Sequence, residues 1–249
     1  MNSDIAKNVL THKDAQKRAE TIYNASYKLS IDLHSGKETY QGKITITFEA
    51  STNHNVIVDF TGSEITTLII NETLLESPDW DGHKLNLPQS LIQKNNTVEI
   101  TYTNQYDHTG DGFHQFIDPE DNEEYLYSNF EPYGAHKLFP CFDQPDIKAT
   151  YHLEVSAPSN WKVIHNSSIN KISSLPDQRL HHEFSKTEKF STYLFALICG
   201  PYEEFREKHY DIDLGFYCRQ SLTKYLDTDE LFQITKDGLD FFADFFDYP

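Results

Sequence analysis

The chain has 249 residues, a formal net charge of −18 and 14% aromatic residues. This aromatic content can fill a packed core, and it excludes a wholly disordered chain. The acidity excludes nucleic acid as a partner, because phosphates are neutralised by clustered lysine and arginine, and it leaves no basic amphipathic face for an anionic membrane.

The N-terminal stretch MNSDIAKNVLTHKDAQKR lacks the apolar core of a signal peptide, and no later segment is long enough to span a bilayer. Three cysteines, Cys141, Cys199 and Cys218, show no CxxC spacing, so free thiols in a reducing compartment are the simplest interpretation. We therefore expect a cytoplasmic protein with no membrane partner.

The first predicted element is a short polar helix over 13–22, with Thr11 as its N-cap. From Tyr27 the apolar period becomes two, and the same alternation returns at 44–48 after a turn that contains Gly36. Two alternating runs across such a turn predict an antiparallel hairpin.

Short apolar runs with polar turns between them continue along the chain. Strands are predicted at 56–60, 65–70, 84–87, 98–102, 149–157, 161–165, 180–184 and 192–199. This spacing predicts a mainly β domain over 1–206, a β-sandwich or saddle of antiparallel and mixed sheets.

The last forty residues have a different pattern. Two strands are predicted within 209–222, and Asp227 is expected to cap a helix with Glu230 in its first turn. Apolar residues then recur at helical spacing and predict a face that belongs to a core: Leu231, Ile234, Leu239, Phe242 and Phe245. Residues 207–249 are therefore expected to be the truncated beginning of a second domain.

Motifs that would carry catalysis are incomplete. His182 and Glu183 begin a possible His-Glu-x-x-His, but Lys186 stands where the second histidine belongs, and a strand pattern surrounds it. The loop 107–114 matches a calcium-binding loop poorly and is interpreted as a solvated turn. We expect no metal ligands and no catalytic residues within this chain.

The densest aromatic and proline region is 125–145. A strand pattern runs into Glu131, which Pro132 restricts to extended geometry at the strand end. This carboxylate either pairs with a structural Lys or Arg or projects from a rim into a cleft. The segment 143–146 predicts a turn in which Asp143 bonds the backbone two residues on.

The sequence SNFEPYGAHKLFPCFDQPDIKATY at 128–151 resembles the M1 family of zinc aminopeptidases, whose pattern here is roughly T-Q-F-E-P-x-x-A-R-x-x-F-P-C-F-D-[EQ]-P-x-x-K-A-x-[FY]. The segments 110–127, 190–205 and 214–226 are also similar to this family. The resemblance implies the N-terminal β domain followed by the first strands and helix of a thermolysin-like α/β catalytic domain.

The resemblance also implies a site. The family's acidic or amide residue that binds the substrate's α-amino group falls on Glu131. Asn129 stands where glutamine usually lines the pocket for the substrate's first side chain, and Phe130 is placed beside that pocket. The zinc ligands and the remaining catalytic residues are expected beyond residue 249.

The expected function is therefore that of the N-terminal portion of a zinc-dependent aminopeptidase that acts on peptides with a free N-terminus. Its partners would be these peptides and the missing catalytic domain, and the chain would be inactive alone. The alternative is a non-catalytic β-sandwich that serves as a binding or scaffolding module.

Overall fold

The computed structural model describes residues 8–51 and 55–248. Its two α-helices are α1, His12–Ala19, and α2, Thr228–Phe246. The Thr11 side chain accepts a hydrogen bond from the Asp14 backbone nitrogen, and Asp227 does the same for Glu230, so both predicted caps are confirmed. Helix α1 ends three residues earlier than predicted, because strand β1 already begins at Ile22.

In the described part of the chain, seventeen strands lie between these two helices. In chain order they are β1 Ile22–Asp32, β2 Thr39–Ala50, β3 Val56–Asp59, β4 Glu64–Ile70, β5 Thr73–Leu74, β6 Asp79–Trp80, β7 Lys84–Leu87, β8 Asn95–Gln105, β9 Gly112–Ile117, β10 Glu124–Asn129, β11 Thr150–Ala157, β12 Lys162–His165, β13 Ile169–Ser174, β14 Leu180–Phe184, β15 Leu197–Gly200, β16 Glu203–His209 and β17 Ile212–Cys218. Short 3₁₀ helices span Gln89–Leu91, Ala135–Lys137, Thr192–Leu194 and Gln220–Tyr225.

The strands form four sheets. The largest has eight strands in the order β13-β14-β11-β1-β2-β8-β4-β5, and its β1–β11 pair is parallel whereas the other pairs are antiparallel. A four-stranded sheet has the order β12-β15-β10-β9, and β3-β7-β6 and β16-β17 form the smaller sheets. The predicted mainly β architecture of antiparallel and mixed sheets is confirmed.

The core contains an aromatic cluster that joins the large sheet to the 125–145 region. Tyr27 of β1 stacks on Tyr151 of β11 with ring centroids 5.3 Å apart, and Phe139 lies 6.0 Å from Tyr27. Such pairs add to the stabilisation that burial itself gives. The Tyr27 hydroxyl also accepts a hydrogen bond from the backbone nitrogen of Phe142, at 3.0 Å. The region that follows Glu131 is therefore part of the core.

Some sequence expectations differ from the structure. Strands β5, β6, β9 and β13 were not predicted, and β16 begins before the range 209–222 in which two strands were predicted. The strand predicted at 192–199 consists of a 3₁₀ turn followed by the shorter β15. The predicted domain division at 206/207 falls inside β16, which pairs with β17 in a separate two-stranded sheet.

The predicted apolar face of α2 is mostly at the surface in this chain, and the expectation that it belongs to the core of a second domain stays a prediction. Phe232 is the buried residue of this helix and lies 4.7 Å from the Phe216 ring of β17. Other members of the face, such as Ile234, Phe242 and Phe245, are 56–68% exposed. Neither α2 nor any other helix in the described part of the chain is long and apolar enough to cross a membrane.

Candidate functional site

The candidate site lies at the end of strand β10. This strand is held on both sides, by β9 and by β15, and its last residue, Asn129, pairs with Gly112. The next side chain, Phe130, is 2% exposed and belongs to the core, whereas Glu131 is exposed. The chain therefore leaves the sheet with one side chain anchored inward and the following carboxylate in solvent.

The Glu131 carboxylate is without a partner among the described residues: no hydrogen bond or ion pair joins it to any of them. The interpretation of Glu131 as a structural carboxylate paired with Lys or Arg is therefore not supported. An unpaired carboxylate next to an anchored backbone can accept charge-assisted hydrogen bonds from a cationic ligand.

Asn129 lies beside Glu131 on the exposed side of the strand end. Its amide nitrogen Nδ2 donates a 2.8 Å hydrogen bond to the carbonyl of Gly110. This bond restrains the Asn129 amide and joins the end of β10 to the loop 107–111.

The loop 107–111 is held together by hydrogen bonds to its first residue, Asp107. The Asp107 carboxylate accepts hydrogen bonds from the Thr109 hydroxyl and from the backbone nitrogens of Thr109, Gly110 and Asp111, at 2.7–3.0 Å. Burial alone would raise the pKa of Asp107, but these bonds outweigh it and lower the pKa to about 2. The loop is thus an internally bonded turn, as predicted.

A second turn, at 134–138, supports the site from the other side. The Asn104 side chain donates to the carbonyl of Lys137 at 2.7 Å, and the Tyr40 hydroxyl donates to that of Leu138 at 3.0 Å. The Lys137 ammonium pairs with Asp111, so the turn and the loop 107–111 are joined. Glycine is favoured at position 134, because a Cβ atom there would lie only 3.0 Å from the Phe130 Cα.

Of the three predicted site residues, Asn129 and Glu131 are exposed, Asn129 as the last residue of β10 and Glu131 two residues beyond it. Phe130 is placed beneath them, in the core. Its ring is oriented away from solvent, so its position favours a role in anchoring the backbone that carries Glu131.

A buried polar network behind the site was missed by sequence reasoning. The Asp143 carboxylate accepts hydrogen bonds from the backbone nitrogen and Nδ1 of His136, at 3.1 and 2.7 Å, and from the Thr192 hydroxyl at 2.5 Å. The Asp143 side chain therefore points into the interior, which corrects the expectation that it bonds the backbone two residues on. The turn itself is present, since the Ile147 nitrogen donates to the carbonyl of Gln144.

The network continues to the N-terminal helix. Arg18 of α1 forms a two-pronged ion pair with Asp59 at 2.6 and 2.9 Å, and both residues are at most 9% exposed. Burial alone would lower the pKa of Arg18, but Asp59 outweighs this effect and the pKa is raised above its ordinary value. The signal that could have revealed this pair is an aspartate within the apolar run VIVDF at 56–60.

Within residues 8–51 and 55–248, no three His, Cys, Asp or Glu side chains come together in a way that could hold a metal ion. His182 lies in β14 with its ring buried, and the adjacent His181 hydrogen-bonds Ser156, so the two rings lie on opposite faces of the strand. The residues that the structure describes therefore do not fit a zinc ion.

Comparison with known proteins agrees with this architecture. Residues 23–194, more than half of the chain, match the family model described as the Peptidase M1 N-terminal domain. The chain is 34% identical to an aminopeptidase N of Streptomyces lividans over 247 residues, which cover 96% of this chain and 28% of that protein. It is 23% identical to an aminopeptidase N of Acetobacter pasteurianus over 189 residues, which cover 73% of this chain and 53% of that protein.

The fold and the site thus define a β domain in which the end of an anchored strand presents a free carboxylate. The chain belongs to the M1 peptidase family, whose N-terminal domain it contains. It spans only about a quarter of the length of its Streptomyces relative.

Proposed function

We propose that this chain is the N-terminal portion of a zinc-dependent aminopeptidase that removes N-terminal residues from peptides. In this proposal Glu131 accepts hydrogen bonds from the free α-amino group of the substrate. The observation that carries it is the exposed Glu131 carboxylate, which has no partner among the described residues although Phe130 before it is buried and the turn 134–138 after it is hydrogen-bonded.

An exopeptidase must recognise a terminal ammonium, and a carboxylate can bind it through charge-assisted hydrogen bonds. Recognition aids cleavage only if the first peptide bond is then held at a fixed distance from the reacting groups. The burial of Phe130 and the bonded turn at 134–138 supply that rigidity for Glu131.

The two neighbouring residues have distinct proposed roles. Asn129 lines the pocket for the first side chain of the substrate, with its amide oriented by the bond to Gly110. Phe130 supports the site from below, because its ring is 2% exposed and has little surface to offer to a ligand.

The remaining chemistry is proposed to reside outside this chain. Residues 207–249 would begin a thermolysin-like catalytic domain, and the zinc ligands would follow beyond residue 249, where the metal would activate the attacking water. The exposed apolar face of α2 supports this, since a following domain would cover it. The three free thiols support the proposed cytoplasmic location.

The test uses the full-length protein that contains this chain. It is expected to hydrolyse a peptide with a free N-terminus and not the same peptide N-acetylated, and to lose activity when a chelator removes its metal. The polypeptide 1–249 alone is expected to be inactive. If the full-length protein hydrolyses neither peptide but binds one of them, the chain serves as a binding module and the proposal fails.

A further inference from the structure

Helix α1 is held at two points, by Asp59 of β3 and by Gln144 in the segment that follows Glu131. The Arg18 guanidinium reaches into the interior and pairs with both oxygens of Asp59, at 2.6 and 2.9 Å. One helical turn earlier, the carbonyl of Ala15 accepts a 2.9 Å hydrogen bond from the Gln144 amide. A helix that is otherwise polar and exposed is therefore held by buried polar contacts.

Asp59 connects the helix to the 141–143 backbone. Its Oδ2 atom, which Arg18 contacts, also accepts a hydrogen bond from the Asp143 nitrogen at 3.1 Å. The backbones of Asp59 and Cys141 exchange two further hydrogen bonds, at 2.8 and 3.0 Å. Asp59 can meet both partners only while Arg18 neutralises its buried charge, because an uncompensated charge in the interior is costly.

The chain of contacts continues from Asp143 to residues that lie close to Glu131 in the sequence. Asp143 holds the backbone nitrogen and the ring of His136, which is completely buried. On its other side the His136 ring contacts the Tyr133 ring, with centroids 4.4 Å apart, and Tyr133 lies two residues after Glu131. The His136 Nε2 atom has no hydrogen-bond partner among the described residues, so Asp143 and Tyr133 fix this ring.

We propose that Arg18 is a positioning residue for Glu131, acting through Asp59, Asp143 and His136 to hold the loop that presents the substrate-binding carboxylate. This inference rests on the proposed function of Glu131. It gives the N-terminal helix a role in substrate recognition, although helix and carboxylate are far apart in the sequence.

The chemistry of arginine is essential to this role. Its planar guanidinium meets both oxygens of one carboxylate, whereas a lysine ammonium acts as a point charge and cannot reproduce that geometry. Arg18→Lys therefore keeps the buried charge of Asp59 compensated, but it replaces the bidentate ion pair with a weaker contact.

The test measures kcat and KM of the full-length protein with a peptide that has a free N-terminus. Arg18→Lys is expected to raise KM by about 3- to 30-fold, with kcat changed by less than about 2-fold. Lys17→Ala, which replaces the exposed neighbouring cation of the same helix, is expected to change neither value. Should Arg18→Lys fail to fold, the pair Arg18→Met with Asp59→Asn removes both buried charges and is expected to raise KM at least as much.

A second arm repeats the substitution in a Glu131→Gln background. If Arg18 acts through Glu131, the KM effect of Arg18→Lys largely disappears there. An effect that persists undiminished, or a folded Arg18→Lys protein with unchanged KM, overturns the inference even if Glu131→Gln alone raises KM. If Glu131→Gln alone leaves KM unchanged, the proposed amine site itself fails.

Discussion

The Asp143 carboxylate binds two atoms of His136, the backbone nitrogen at 3.1 Å and the ring Nδ1 at 2.7 Å. Both residues are at most 1% exposed, so this pair bonds the turn after Glu131 to the interior from within the core. The turn that follows Glu131 at the surface is thus held by polar contacts that are buried in the core.

Removing this carboxylate should destabilise the fold. Asp143→Ala leaves the His136 nitrogen and the Thr192 hydroxyl without an acceptor in the core, which should cost about 3–5 kcal/mol. The urea midpoint of the polypeptide 1–249 measures this loss. Asp146→Ala, at an exposed site three residues on, is the matched control and should change the midpoint little; equal midpoints for the two variants would contradict the prediction.

The loop 107–111 beside Asn129 should lose its structure only at a pH below the usual titration range of an aspartate. The folded pKa of Asp107 is lowered from 3.8 to about 2, so the stabilisation by its carboxylate is present above pH 4 and is lost as the pH falls towards 2. The amide NMR shifts of Gly110 and Asp111 should therefore titrate with a midpoint near pH 2. Asp107→Asn should abolish this titration, and a midpoint near pH 4 would show that the loop does not close on Asp107.

Substituting alanine for each of two glycines should change the stability of the protein in opposite directions. At Gly42 in β2 a Cβ atom would lie 2.1 Å from the buried ring of Tyr102, so Gly42→Ala should destabilise the protein by about 1–3 kcal/mol. At Gly238 in α2 nothing lies within 4 Å, and Gly238→Ala should stabilise it by up to about 1 kcal/mol. Thermal unfolding of the two variants checks this, and shifts of the same sign would contradict it.

The exposed aromatic face of α2 should make the polypeptide 1–249 self-associate. Phe242 and Phe246 are 56% and 66% exposed, and apolar patches of this kind favour association. Phe242→Asp with Phe246→Asp should lower the average mass in sedimentation velocity experiments. Tyr225→Asp, which replaces another exposed aromatic residue outside this face, is the control, and an equal effect of both would refute a specific role of the face.

Local patterns predicted much of this structure. The alternation at 27–33 and 44–48, and the caps Thr11 and Asp227, depend on neighbouring residues alone, and they are confirmed. Local patterns placed Glu131 close to a strand end but left open whether its carboxylate is paired, because a partner would come from a distant part of the sequence.

The network behind the site could not be predicted in this way. Arg18, Asp59 and Asp143 are distant in sequence, and a single sequence does not show which cation meets which anion. What covers the Phe-rich helix could not be predicted for a related reason: its spacing indicates an apolar face, but not which part of the protein packs on it.

The most direct test of the central claim is the kinetics of Glu131→Ala in the full-length protein. Losing one charge-assisted contact to a substrate ammonium should cost about 2–4 kcal/mol, so kcat/KM should fall by roughly 30- to 1000-fold with a raised KM. Glu120→Ala, another exposed glutamate of the same domain, should retain normal kinetics. Unchanged kinetics for Glu131→Ala would contradict the account.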